Sequence, residues 1–209
     1  MSTTTEQHHR RHTRTRTELA AGATILLHDP HTGEGALVLP AQFATTGALA
    51  FLIEHSSGFI TVALTDTDCA RLCLPPMWGL SDVTTRHGFT VTVDAVGVGT
   101  GISAADRAHT IRTLADPTSG PADFTRPGHV VPIRTRTSGT GRPGPAEAAI
   151  DLLRTAGLHP AAAMGALVSR ADPTRMADAG ECAEFASAHG LAVAVVTGER
   201  QGGTASPQP

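Results

Sequence analysis

The 209-residue chain has no tyrosine, one tryptophan and only 3% aromatic residues. Proteins that bind single-stranded nucleic acid stack bases on such rings, and a formal charge of −3 offers no basic stripe for a phosphate backbone. Nucleic-acid binding is therefore set aside. Three cysteines are too few for a disulfide framework, and none stands in a C-x-x-C pair that would suggest zinc or redox chemistry. No apolar run approaches the roughly 20 residues that a membrane-spanning helix needs, and the N-terminus carries no apolar segment of the secretory kind. These absences predict a cytoplasmic chain with no nucleic-acid and no membrane partner.

What is present suits one buried core, since 40% of the residues are hydrophobic and the length favours a single domain. "HHRRHTRTRT" shows no apolar periodicity, so residues 1–17 are expected to form a disordered basic, His-rich tail, and residues 198–209 a second tail. Between them, residues 18–197 alternate short apolar runs with helical patterns. "TILLHD", "GALVLPA", "FITVAL", "HVVPIRT", "AAMGALVS" and "LAVAVV" read as strands, and "FTVTVDAV" is the clearest of all, with strict alternation and β-branched residues. "TTGALAFLIEHSSG", "DTDCARLCL", "AADRAHTIRTLAD", "AEAAIDLLRTAG" and "GECAEFASAHG" read as helices. This order implies an α+β fold with helices packed on a mixed sheet.

"GTGISAADRAHTIRTLADPTSGPADFTRPGHVVPIR", from Gly99 to Arg134, resembles the central signature of the 3,4-dihydroxy-2-butanone 4-phosphate synthase family. The resemblance continues through "EHSSGF", "LCLPPM", "GRPGPAEAAIDLLRTAGLHPA" and "ECAEFASAHGLAVAVV" and spans about residues 18 to 197. It implies a three-layer twisted sheet with helices on both faces, a homodimer, and an enzyme that converts ribulose 5-phosphate with a divalent cation such as magnesium, releasing formate.

Three loops depart from the family pattern. The acidic loop D-R-E-N-E-G-D corresponds to "DPHTGEGALVLP", which keeps Glu34 and Gly35, carries Ala36 in place of the last aspartate and is about two residues shorter. R-x-G-H-T-E-A corresponds to "RPGPAEA", so Pro145 stands where the resemblance implies a metal-binding histidine and Ala146 where it implies threonine. A C-E motif corresponds to Gly165 and Ala166. A hard cation wants closely held oxygen ligands, so the expectation is that the magnesium site is lost and that no cofactor is needed.

Several polar groups remain. His129, a side chain suited to proton transfer near neutral pH, matches the family's active-site histidine; Glu147 and Glu34 are the other candidate catalytic groups. Arg142 matches the arginine expected to hold substrate phosphate. Thr100, Ser103, Asp106 and Arg107 match a substrate-side loop, although Ser103 and Asp106 equally suit a helix start. His55 is a further candidate substrate contact, and His87 a neighbour of the site. The favoured expectation is a homologue repurposed for metal-independent acid/base chemistry (dehydration, isomerisation, lyase or cyclisation) on a different small molecule in specialised metabolism. The alternatives are an authentic synthase and a non-catalytic binding or regulatory protein.

Overall fold

The computed structural model describes residues 2–77, 88–136 and 142–197, with side chains from residue 11 onward. His87 and the tail expected over 198–209 lie outside them.

Helix α1 (Ser2–Ala20) leads into β1 (Ile25–His28) and β2 (Gly35–Pro40), an antiparallel pair in which His28 lies opposite Gly35. Residues 2–17 are thus helical where a disordered tail was expected. Leu19 is fully buried and Thr15 nearly so, and the helix packs against neighbours remote in sequence, which local periodicity does not reveal. Helix α2 (Thr46–His55) follows, capped by the Thr45 hydroxyl, which accepts the Ala48 N–H. Strand β3 (Thr61–Thr65) and the short helix α3 (Asp66–Arg71) come next.

The continuous strand expected at "FTVTVDAV" is instead two short strands, β4 (Gly88–Phe89) and β5 (Val93–Ala95). Both pair with one long strand, β6 (Phe124–Thr135), β4 near its C-terminal end and β5 nearer its start. The segment breaks because its two halves meet different stretches of the same partner, and a register shift between Val93 and Asp94 marks the bulge. Helix α4 (Ala104–Ala115) lies between β5 and β6 in the chain.

Helix α5 (Pro145–Thr155) buries Ala146, Ala149, Ile150 and Leu153, one stripe at helical spacing. Its first residue is Pro145, at the position where a missing N–H costs no hydrogen bond. Strand β7 (Ala162–Ala166), helix α6 (Ala179–Ala188) and strand β8 (Val193–Val195) complete the chain.

The strands run β4-β6-β3-β7-β2-β1-β8, with β5 pairing β6 off this path. The sheet is mixed: β3 is parallel to β6 and antiparallel to β7. Alternation sends Leu26, Leu37, Val62 and Leu64 to one face, under α2, α4 and α6. Ile25, Leu27, Val38, Ala63 and Met164 go to the other, under α1 and α5. The expected three-layer α+β architecture is what this sheet and its two helical layers form.

Candidate active site

Two polar groups lie at the same end of the sheet. Thr61 pairs with both Val131 and Met164, while Ala36 pairs with Ala166. Stepping two residues along each ladder puts His129, Ala166 and Ala36 in one row, and alternation points all three to the α5 face. Three interstrand steps separate His129 from Ala36, about 14 Å.

The first group is built on His129. Asp94, from β5, is only 7% exposed, and both its oxygens are engaged. Oδ1 accepts the His129 backbone N–H at 2.9 Å, and Oδ2 lies 2.8 Å from the ring Nδ1. The two strands come this close because glycines line the contact. A β-carbon on Gly128 would overlap the backbone of Val93 and Asp94, and one on Gly101, at φ +82°, would stand 2.7 Å from His129 Nδ1. The imidazole itself stays 44% exposed.

Beside it, Gly101 donates its N–H to Asp106 Oδ2 at 3.2 Å, and Ser103 Oγ caps α4 by accepting the Asp106 N–H at 3.0 Å. Both side chains are thus occupied in building the helix start. Thr100 is exposed on the loop before it. Arg107 is buried and donates from Nη1 to the Gly58 carbonyl at 3.1 Å, while its Nε has no partner among the described residues. Burial without a carboxylate holds its pKa below the ordinary arginine value.

The second group surrounds the β1–β2 turn. Arg142 forks onto Asp29, with Nη1 donating to Oδ2 at 3.0 Å and Nη2 donating to Oδ1. His31 adds its backbone N–H to Oδ1 at 2.9 Å. Burial works to raise the Asp29 pKa, but the Arg142 and His31 hydrogen bonds outweigh it, and the carboxyl titrates below its ordinary 3.8. Glu147 Oε2 accepts the Gly144 N–H at 3.1 Å, closing the first turn of α5. Glu34 is exposed on the turn, and its carbonyl accepts the Asp29 N–H.

A depressed native pKa means that Asp29 adds stability that is complete above 3.8 and is lost as pH falls through the lower native value. Arg142→Gln is therefore expected to lower the urea midpoint at neutral pH and to flatten its fall in acid. An acid limb identical to that of the parent protein would show that the pair contributes nothing.

His55 belongs to neither group. Its ring packs among Phe51, Phe185 and His189, with centroids 4.6, 5.7 and 4.8 Å away, and Arg170 Nη2 lies 3.1 Å from its Nδ1. It lines a cavity of about 510 Å³ between the end of α2 and α6, on the face opposite α5. Sequence reasoning missed Asp29 and Asp94. The available signal for Asp94 was a lone carboxylate inside an otherwise apolar and β-branched strand; for Asp29 it was its place at the head of "DPHTGEGALVLP", the segment that corresponds to the acidic loop.

A sequence model of the 3,4-dihydroxy-2-butanone 4-phosphate synthase family matches residues 13–198. The riboflavin biosynthesis protein RibBA of Rhodococcus jostii is 47% identical over 182 residues, covering 84% of this chain and 43% of that protein. The chain thus spans less than half the length of this curated relative. A solved 3,4-dihydroxy-2-butanone 4-phosphate synthase, described as a complex with two magnesium ions, superposes with TM-score 0.79 at 34% identity, covering 88% of this chain and 91% of that one. RibBX, described as a two-domain synthase from A. baumannii, gives 0.82 at 31% identity, covering 89% and 55%.

These relatives correct two expectations. A repurposed enzyme of specialised metabolism is overturned by the identity to proteins named for riboflavin biosynthesis. Freedom from any cofactor is overturned by the relative that holds magnesium. The donor set of this chain is a separate matter. Arg142 occupies both Asp29 oxygens, Gly144 engages one Glu147 oxygen, and no three His, Cys, Asp or Glu side chains converge among the described residues. As arranged, these residues do not fit a cage built by the protein alone, so the steps assigned to this chain run through its own side chains. With its signature motifs carried on a matching fold over nearly its whole length, the chain belongs to the 3,4-dihydroxy-2-butanone 4-phosphate synthase family.

Proposed function

We propose that this chain acts as a 3,4-dihydroxy-2-butanone 4-phosphate synthase, taking ribulose 5-phosphate to dihydroxybutanone phosphate and formate. The observation that carries the reading is the row on the α5 face: a half-exposed imidazole braced by a carboxylate lies at one end, and Arg142 stands beyond the other. The reaction begins by removing a proton from carbon next to a carbonyl, and His129 is the group assigned to accept it. Arg142 has five N–H donors, of which Asp29 takes two. The rest are assigned to the substrate phosphate, with Asp29 holding the guanidinium plane steady. Glu34 and Glu147, at the same end, are assigned the later proton movements. Thr100 is the loop side chain left for a substrate hydroxyl. Ser103, Asp106 and His55 are assigned to structure through the contacts described above, and Arg107 because it is buried and bound to the Gly58 carbonyl.

His129 and Ala36, which adjoins the β1–β2 turn, stand about 14 Å apart, a wide span for one pentulose phosphate. The same reading therefore has the chain work as a homodimer in which one copy's His129 meets the other's Arg142. In support, Phe59, Val96 and Ile102, at the His129 end, are 55, 55 and 52% exposed.

Incubation of the purified protein with ribulose 5-phosphate and magnesium is expected to release one formate per sugar phosphate consumed. Absence of formate under conditions in which a RibBA relative turns over would reject the assignment.

A further inference from the structure

Asp94 does more than fill a gap between two strands. A carboxylate only accepts hydrogen bonds, so the proton in the 2.8 Å contact must sit on His129 Nδ1. That leaves Nε2 with its lone pair, on a side chain that is 44% exposed. The second Asp94 oxygen takes the His129 backbone N–H, so one side chain fixes both the backbone and the ring of the same residue. Gly101 and Gly128 are the positions that let it come so close, at the point where the β5–β6 register shifts between Val93 and Asp94.

We propose that Asp94 is the positioning residue of the site: it holds His129 in the Nδ1–H form, so that Nε2 is the atom that takes the proton. The proposal rests on the assignment of His129 to proton transfer. In the step it serves, the substrate C–H bond breaks and its proton moves to Nε2. The C–H electron pair moves toward the carbonyl oxygen, and the resulting imidazolium keeps its Nδ1–H on Asp94 until Nε2 returns the proton.

Asp94→Asn tests this sharply because the change is nearly isosteric. The amide oxygen can still accept the backbone N–H, which leaves the NH₂ group facing Nδ1 as a donor. The ring is then driven to the opposite form, with the proton on Nε2. Nitrogen-15 NMR of the ring, read on the full chain without substrate, is expected to show Nδ1–H in the parent and Nε2–H in the variant. Turnover is expected to fall about 10²–10⁴-fold in kcat, the share usually carried by a positioned acid/base group, with KM within about threefold because substrate binding is untouched. Asp94→Glu, which retains a carboxylate, is expected to keep the parent ring form. A purely structural role would leave the ring form of Asp94→Asn unchanged, and that result would overturn the proposal. A reversed ring with undiminished turnover would instead overturn the assignment of His129 as proton acceptor.

Discussion

Replacing His129 with alanine is expected to cut formate release from ribulose 5-phosphate by about 10²–10⁴-fold in kcat while leaving the fold intact. The side chain is 44% exposed and packs into neither core cluster, so its removal opens no internal cavity. What disappears is the single imidazole of the row and the partner of the buried Asp94 carboxylate. The backbone N–H of residue 129 still donates to that carboxylate, which limits the loss of stability. The measurement is kcat and KM from a formate assay, beside a urea melt. Turnover within tenfold of the parent would remove His129 from the chemistry.

Gly128→Ala is expected to be the most damaging single methyl addition near the site. Its β-carbon would fall on backbone atoms of Val93 and Asp94, and backbone, unlike the end of a long side chain, cannot swing aside. Strands β5 and β6 would have to separate, breaking the Asp94 contacts along with the ladder. The expected cost is on the order of 3–5 kcal/mol, at the top of the range for single substitutions. Gly47→Ala provides the control: the position lies in α2, nothing stands within 4 Å of the added carbon, and alanine in a helix is worth about 0.5–1 kcal/mol over glycine. Equal urea midpoints for the two variants would show that the strands have slack where the geometry shows none.

Much of the fold was legible because its signals are local. Alternation in "GALVLPA" and the helical stripe of "AEAAIDLLRTAG" each declare a buried face within a few residues, and β2 and α5 formed where expected. Two readings failed for one reason. Helix α1 has little apolar periodicity and is held by contacts with β1, α5 and β8. "FTVTVDAV" has ideal alternation, yet it splits because β6 offers partners at two separate places.

The candidate site divides in the same way. Its residue types were readable: an imidazole after Gly128, an arginine before Gly144, and Pro145 and Ala166 where other groups were expected. Their surroundings were not. Asp94 meets His129 across 35 positions, and Asp29 meets Arg142 across 113.

By itself, the sequence determined the secondary-structure types over most of residues 18–197 and the family, because propensity, capping and motif spacing act within a few turns of chain. Only the tertiary structure decided which carboxylate braces the imidazole, which neutralises the arginine, and that His55 faces away from both. Those pairings depend on strand order and register, which are set by burying both faces of one sheet and which no local stretch encodes.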